Sequence, residues 1–158
     1  MVTEELKTKI AELLPAATFE EGGEWLNIIV DSKDWLSLAQ QLRNDDQLNF
    51  DFLFCLTCID WSQTPVGKTH LTMVYHLTST TFRHNIVVKA KLDINKPEIE
   101  TVSGIWKTAE FHEREVYEMF GVDFLNHPDL RLLILPDGWE GKNPMRKDFE
   151  DPVNMIKL

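Results

Sequence analysis

The chain has 158 residues, a size that fits one domain around one hydrophobic core. Hydrophobic residues make up 43% and charged residues 27%, close to ordinary globular usage, which excludes disordered and collagen-like classes. Sixteen Lys and Arg against 26 Asp and Glu give a net charge of −10, and no basic patch reverses that field, so nucleic acid is not an expected partner. The amino-terminal Met1 to Leu6 carries acids where a signal peptide carries basic residues. No apolar run reaches the ~18 residues needed to cross a bilayer, and the expected location is the cytosol or the cytosolic side of a larger structure.

In chain order, Thr3 can cap a first helix that Pro15 stops, with Leu6, Ile10, Leu13 and Leu14 on one face. A strand is expected over Trp25 to Val30. Asp31-Ser32 then offers a cap for a helix from about Lys33 to Arg43, with Trp35, Leu38, Ala39 and Leu42 at helical spacing. The long apolar stretch within Asn49 to Trp61 reads as a strand near the middle of a sheet, covered on both faces. His70 to Leu77 and Arg83 to Leu92 read as an antiparallel hairpin turning near Ser79. A third helix is expected from about Ile105 to Phe120, ended by Gly121.

From Val122 the character changes. Pro128, Pro136, Pro144 and Pro152 recur every eight residues among glycines and charges, with one apolar patch at Leu130 to Leu135. The expectation is an α+β fold: a mainly antiparallel sheet with helices on one face, over residues 1–121, and an extended segment over 122–158. A segment with so little local apolar surface orders by packing on something else.

Three groups of residues invite chemistry. Cys55 and Cys58 form a C-x-x-C, but they lie inside an apolar strand rather than at a helix start, and no further soft ligands accompany them. Core packing is the simpler reading, with thiol redox chemistry or metal binding as the alternative. His112-Glu113-Arg114-Glu115-Val116 lacks the second histidine of a zinc helix, because Val116 fills that place. Glu110, Arg114 and Glu118 are spaced to brace a helix as i, i+4 pairs. Glu113 differs, since it falls on the apolar face beside Trp106 and Phe120 and needs a partner there. No catalytic, cofactor-binding or metal site is expected within this chain.

One stretch carries a resemblance. Glu113-Arg114-Glu115-x-x-Glu118-Met119-Phe120, followed after six residues by His127-Pro128-Asp129-Leu130-Arg131, resembles the signature of the respiratory complex I 30 kDa subunit family. Asp137 to Gly141, around Trp139, and Pro144 to Phe149, with Arg146, Lys147 and Asp148, are similar to the later part of that family's pattern, and Thr57 to Trp61 resembles its central strand. The resemblance implies a scaffold subunit of the hydrophilic arm of a proton-translocating NADH:quinone oxidoreductase. NAD, FMN, iron–sulfur clusters and quinone would then be held by other subunits. It implies two partners, the large subunit of the quinone site and a small cluster-bearing subunit. The location implied is the cytoplasmic side of the inner membrane, peripheral through those partners. It also implies roles. Glu113, Arg114, Glu115 and Glu118 fix the last helix against the tail and the partner. His127, Pro128, Asp129 and Arg131 set the path of the chain out of the domain. Trp139, Arg146, Lys147 and Asp148 belong to the interface.

Overall fold

The computed structural model describes residues 3–63, 69–151 and 153. Helix α1 (Thr3–Leu13) leads through a short strand β1 (Thr18–Glu20) to β2 (Leu26–Asp31), helix α2 (Trp35–Asn44) and strand β3 (Phe52–Asp60). The hairpin β4 (His70–Ser79) and β5 (His84–Asp93) comes next, then β6 (Glu98–Glu100), α3 (Ala109–Phe120) and β7 (Asp123–Leu125). Five strands form one sheet in the order β1-β2-β5-β4-β3, antiparallel except where β2 runs parallel to β5. The α+β class and the mostly antiparallel sheet are as the sequence indicates.

Alternation explains the layers. Ile28 and Val30 on β2, Val88 and Ala90 on β5, Met73 and Tyr75 on β4, and Leu56 and Cys58 on β3 fall in register on one face. They join Leu6 and Ile10 of α1, Leu38 and Leu42 of α2, and Ala109 and Val116 of α3 in a single buried cluster. Trp35 lies at its centre, its ring 4.4 Å from that of Tyr75 and 6.2 Å from that of Trp106.

Three expectations need correction. The apolar β3 is not central but forms the edge of the sheet, with Phe52 and Ile59 exposed. Its hydrophobicity reflects α3 packing along it on the core side. The second helix begins at Trp35 rather than Lys33, because Asp31 makes a turn instead of a cap: its carboxylate accepts the Lys33 N–H and its carbonyl the Asp34 N–H. The third helix begins at Ala109 rather than Ile105. Residues 102–108 form tight turns tied to the start of β3, where the Trp106 indole donates to the Phe50 carbonyl at 2.8 Å and the Thr108 hydroxyl to that of Leu53 at 2.7 Å.

Beyond Gly121 the chain first stays inside this fold. Gly121 adopts the left-handed conformation at φ 75° that ends α3, and β7 then pairs in parallel with β6. Val122 and Phe124 are buried in the core cluster.

Candidate functional site

The site is the seam between α3 and the segment after β7. Charged side chains on the inner side of α3 meet backbone, not other charges. Arg114, 7% exposed, donates from Nε to the Arg131 carbonyl at 3.0 Å and from Nη2 to the Leu132 carbonyl at 2.7 Å. Glu118, 1% exposed, accepts the N–H groups of Leu133 at 2.8 Å, Ile134 at 2.9 Å and Leu135 at 3.2 Å. These hydrogen bonds replace the helix-bracing pairs that the spacing of Glu110, Arg114 and Glu118 indicates. A charge satisfied by several backbone dipoles tolerates burial.

Glu113 points the other way, into the core. One carboxyl oxygen accepts the Val102 N–H at 2.8 Å and the other lies 2.5 Å from the Thr101 hydroxyl. The basic group the sequence asks for arrives from the tail as His127, whose Nε2 is 3.6 Å from Glu113 Oε2. That imidazole is fixed at both nitrogens: Nδ1 accepts the Asp129 N–H at 3.0 Å, so the ring N–H is at Nε2, 3.0 Å from the Glu110 carbonyl. Burial therefore dominates at Glu113 and pushes its carboxyl up to about 7, against the hydrogen bonds from Thr101 and Val102.

The other signature residues are spread along the seam and the tail. Glu115 is exposed. Asp129 pairs with the exposed Arg131 at 3.0 Å, and Pro128 faces a surface groove beside Ser103 and Asn126. Further on, Arg146 donates to the Ile94 carbonyl at 2.9 Å. Lys147 enters through its backbone, whose N–H donates to Asp60 at 2.9 Å. Asp148 lines a groove of about 570 Å3 with Trp139, Lys142 and Phe149, where the Lys142 ammonium stands 4.5 Å from the Trp139 ring.

Residues that carry no role in the sequence complete the seam. Asp60, 7% exposed, binds the tail at Lys147, and its signal was an acid closing an apolar strand. Asn143 packs on Gly121, and the Met145 N–H donates to the Met119 carbonyl at 3.0 Å. Nothing in the local sequence marks these two.

Neither cysteine is poised for thiol chemistry. Cys58 is in the core, where burial and then Asp60 push its thiol up to about 12. Burial and then Glu115 also raise Cys55, which sits opposite His76 on the outer face of the sheet. An iron–sulfur cluster takes several thiolates, and these two neutral thiols on opposite faces of one strand do not fit one. Among the described residues no group of three or more His, Cys, Asp or Glu is placed to hold a metal ion.

This seam joins the two halves of the Glu-Arg-Glu and His-Pro-Asp pattern. Residues 28–153 match the family described as respiratory-chain NADH dehydrogenase, 30 Kd subunit. The chain belongs to that family. It is 45% identical over 70% of its length to the C/D subunit of NADH-quinone oxidoreductase from Phocaeicola vulgatus, and 38% identical over 73% to the C subunit of the Chloroherpeton thalassium oxidoreductase. The matched parts are 20% and 46% of those proteins, so the chain spans less than half of either. Among solved structures, it superposes with a TM-score of 0.76 and 30% identity on a chain of the membrane-bound sulfane sulfur reductase, an archaeal respiratory membrane complex. That match covers 93% of this chain and 85% of the other. Among the described residues no helix of this 30 kDa family member is long and apolar enough to cross a membrane.

Proposed function

We propose that this chain is a non-catalytic scaffold subunit in the hydrophilic arm of a proton-translocating NADH:quinone oxidoreductase. It supports electron transfer from NADH to quinone by holding neighbouring subunits in place. One observation carries this reading: two buried charges, Arg114 and Glu118, are both used to fix the backbone of residues 131–135. Fixed in this way, the segment leaves Leu133 and Ile134 40% and 62% exposed, and Phe111 on α3, whose ring lies 5.8 Å from the Arg114 guanidinium, is 53% exposed. An isolated domain gains nothing by ordering apolar side chains toward water, whereas an interface formed in advance lowers the entropy lost on docking.

The partners on this reading are the large subunit of the quinone site and a small cluster-bearing subunit. The C/D name of the Phocaeicola relative, which joins two subunit letters in one polypeptide, supports a neighbour within covalent reach. Residues 122–158, of which 152 and 154–158 lie outside the described residues, act as the docking segment once the chain has left β7. His127, Pro128, Asp129 and Arg131 set its path, and Glu115, Trp139, Arg146, Lys147 and Asp148 stand at the contact. NAD, FMN, clusters and quinone are bound by other subunits. The location is the cytoplasmic face of the inner membrane, reached through partners.

The test is purification of the tagged chain from host membranes in mild detergent, with the co-purifying proteins identified. Recovery of a quinone-site subunit and a cluster-bearing subunit is the expected result. A chain that purifies alone overturns the reading.

A further inference from the structure

Of the charged residues that α3 gives to the Glu-Arg-Glu pattern, three use their charge inside the protein. Glu113 meets Val102, Thr101 and His127, Arg114 holds the carbonyls of Arg131 and Leu132, and Glu118 holds the N–H groups of residues 133–135. Glu115 is the exception. It is exposed, and among the described residues no hydrogen bond or ion pair reaches its carboxylate. Its helix neighbours three and four positions away are Phe111, His112, Glu118 and Met119, none of them a lysine or arginine. The adjacent Arg114 is buried and committed to the tail.

The surroundings of this free acid are apolar. Phe111 stands one helical turn earlier on the same side of α3. It remains 53% exposed even with the Arg114 guanidinium 5.8 Å from its ring. Toward the sheet lies Cys55, half-buried on β3, whose thiol is raised by burial and then by Glu115. Phe52 at the start of the same strand is exposed, and that end of β3 is tied to the start of α3 through Thr108 and the Leu53 carbonyl. Glu115 therefore sits between the edge strand and the stretch 131–135, which its neighbours Arg114 and Glu118 hold in place.

A partner that covers residues 131–135 and Phe111 takes Glu115 out of water, and a desolvated carboxylate needs a cation. A guanidinium suits this position better than an ammonium. Its planar fork can engage both carboxylate oxygens, it lies flat on an aromatic ring, and it gives up its hydration more easily. The net charge of −10 also favours a basic surface on the other side. A second copy of this chain brings the same negative charge and is the poorer match.

We propose that Glu115 and Phe111 form the receiving site for an arginine of the partner subunit that docks on residues 131–135. The guanidinium pairs with the Glu115 carboxylate and lies against the Phe111 ring. This site rests on the scaffold reading and adds the chemistry by which the partner is recognised.

The experiment uses the tagged full chain in host membranes, with photoreactive p-benzoyl-phenylalanine in place of Phe111. After illumination the linked peptide is mapped with a protease that does not cut at basic residues. The expected link is to a different subunit, in a stretch that contains an arginine. In unlinked protein, Glu115→Arg should lower the recovered complex at least about tenfold, and Glu115→Gln should lower it less. Changing the identified arginine to glutamate should restore assembly of the Glu115→Arg chain. A link to a second copy, or to a stretch without arginine, overturns the proposal. Full recovery of complex with Glu115→Arg overturns it too, and leaves the scaffold role standing. A wild-type chain that brings down no partner overturns the scaffold reading and this site together. With no internal partner for its carboxylate, the Glu115→Arg chain alone should melt at the wild-type temperature. A variant that fails to fold shows that Glu115 serves the fold, which also overturns the assignment.

Discussion

Arg114 and Glu118, one helical turn apart, hold opposite ends of one stretch of backbone by opposite chemistry. The guanidinium takes the carbonyls of Arg131 and Leu132, and the carboxylate takes the N–H groups of Leu133, Ile134 and Leu135. Each charge meets the ends of peptide dipoles that complement it, so the pair works on the tail and not on the helix.

Glu118→Gln tests that grip. The amide keeps the shape but presents N–H groups where an acceptor is needed, and buried donors lose their partner. Loss of hydrogen bonds to a charged group of this kind costs about 1.5–3 kcal/mol. Urea unfolding should report that loss. Trypsin should also cut faster after Arg131, which is exposed but held by its carbonyl. Equal cutting rates in variant and wild type would remove Glu118 from this role.

The pH dependence of stability follows from Glu113. Its folded value, about 7, lies above the ordinary 4.5, so between the two the folded state binds more protons than the unfolded state. Stability therefore falls as pH rises from the unfolded value to the folded one and is level above it. The size is on the order of 3 kcal/mol for a fully buried group. Glu113→Gln should remove this slope and be the more stable protein at pH 8. A parallel slope in both proteins would place the titration elsewhere.

Asp60 has the opposite sign. Burial raises its carboxyl, but hydrogen bonds from Ser62 and from the Lys147 N–H outweigh burial and hold it below the ordinary value. Its contribution is thus present above the unfolded value and lost as pH falls through the folded one. Asp60→Asn should weaken the hydrogen bond to Lys147 while leaving the sheet intact, so the Lys147 amide exchanges faster without a comparable change at Met73 in β4. A uniform rise in exchange across the sheet would mean that Asp60 supports the core and not the tail.

Gly121 links helix and tail sterically. A Cβ at this position would lie 2.6 Å from Asn143 Nδ2, and φ at 75° disfavours any L side chain. Gly121→Ala should cost about 1–2 kcal/mol from conformation alone, plus the displacement of Asn143. Adding Asn143→Gly removes the clash and retains the conformational cost. The double-mutant cycle therefore measures the contact, and a coupling near zero would show that Asn143 moves aside freely.

The sequence conveyed the layers better than the seam. Helical spacing at Leu6, Ile10, Trp35, Leu38 and Leu42, and alternation at Leu71, Met73, Tyr75 and Leu77, report burial directly, because the period of a buried face is local. The apolar run of β3 misled, since burial under α3 and burial between two strands leave the same composition. Arg114 and Glu118 looked like i, i+4 partners because their true partners are backbone groups, which every residue has and no sequence displays. The pairing of Asp60 with Lys147 spans 87 positions and has no local signature. Glu113 was legible in part: an acid on an apolar face demands a partner, and His127 arrived within the family pattern.

The cysteines give a last, independent check on the fold. At pH 8 a thiol pushed up to about 12 stays protonated, so Cys58 reacts with a disulfide reagent chiefly when the core opens. Cys55, half-buried on the outer face, should react first and still more slowly than free cysteine. Because Cys58 faces Met73 in the core and Cys55 stands across from His76 on the other side of the sheet, the two side chains diverge. A mild oxidant should therefore leave them reduced in the native protein and join them only in denaturant. Mass spectrometry of the alkylated protein distinguishes these states. Rapid formation of an intramolecular disulfide under native conditions would show that β3 leaves its place at the sheet edge.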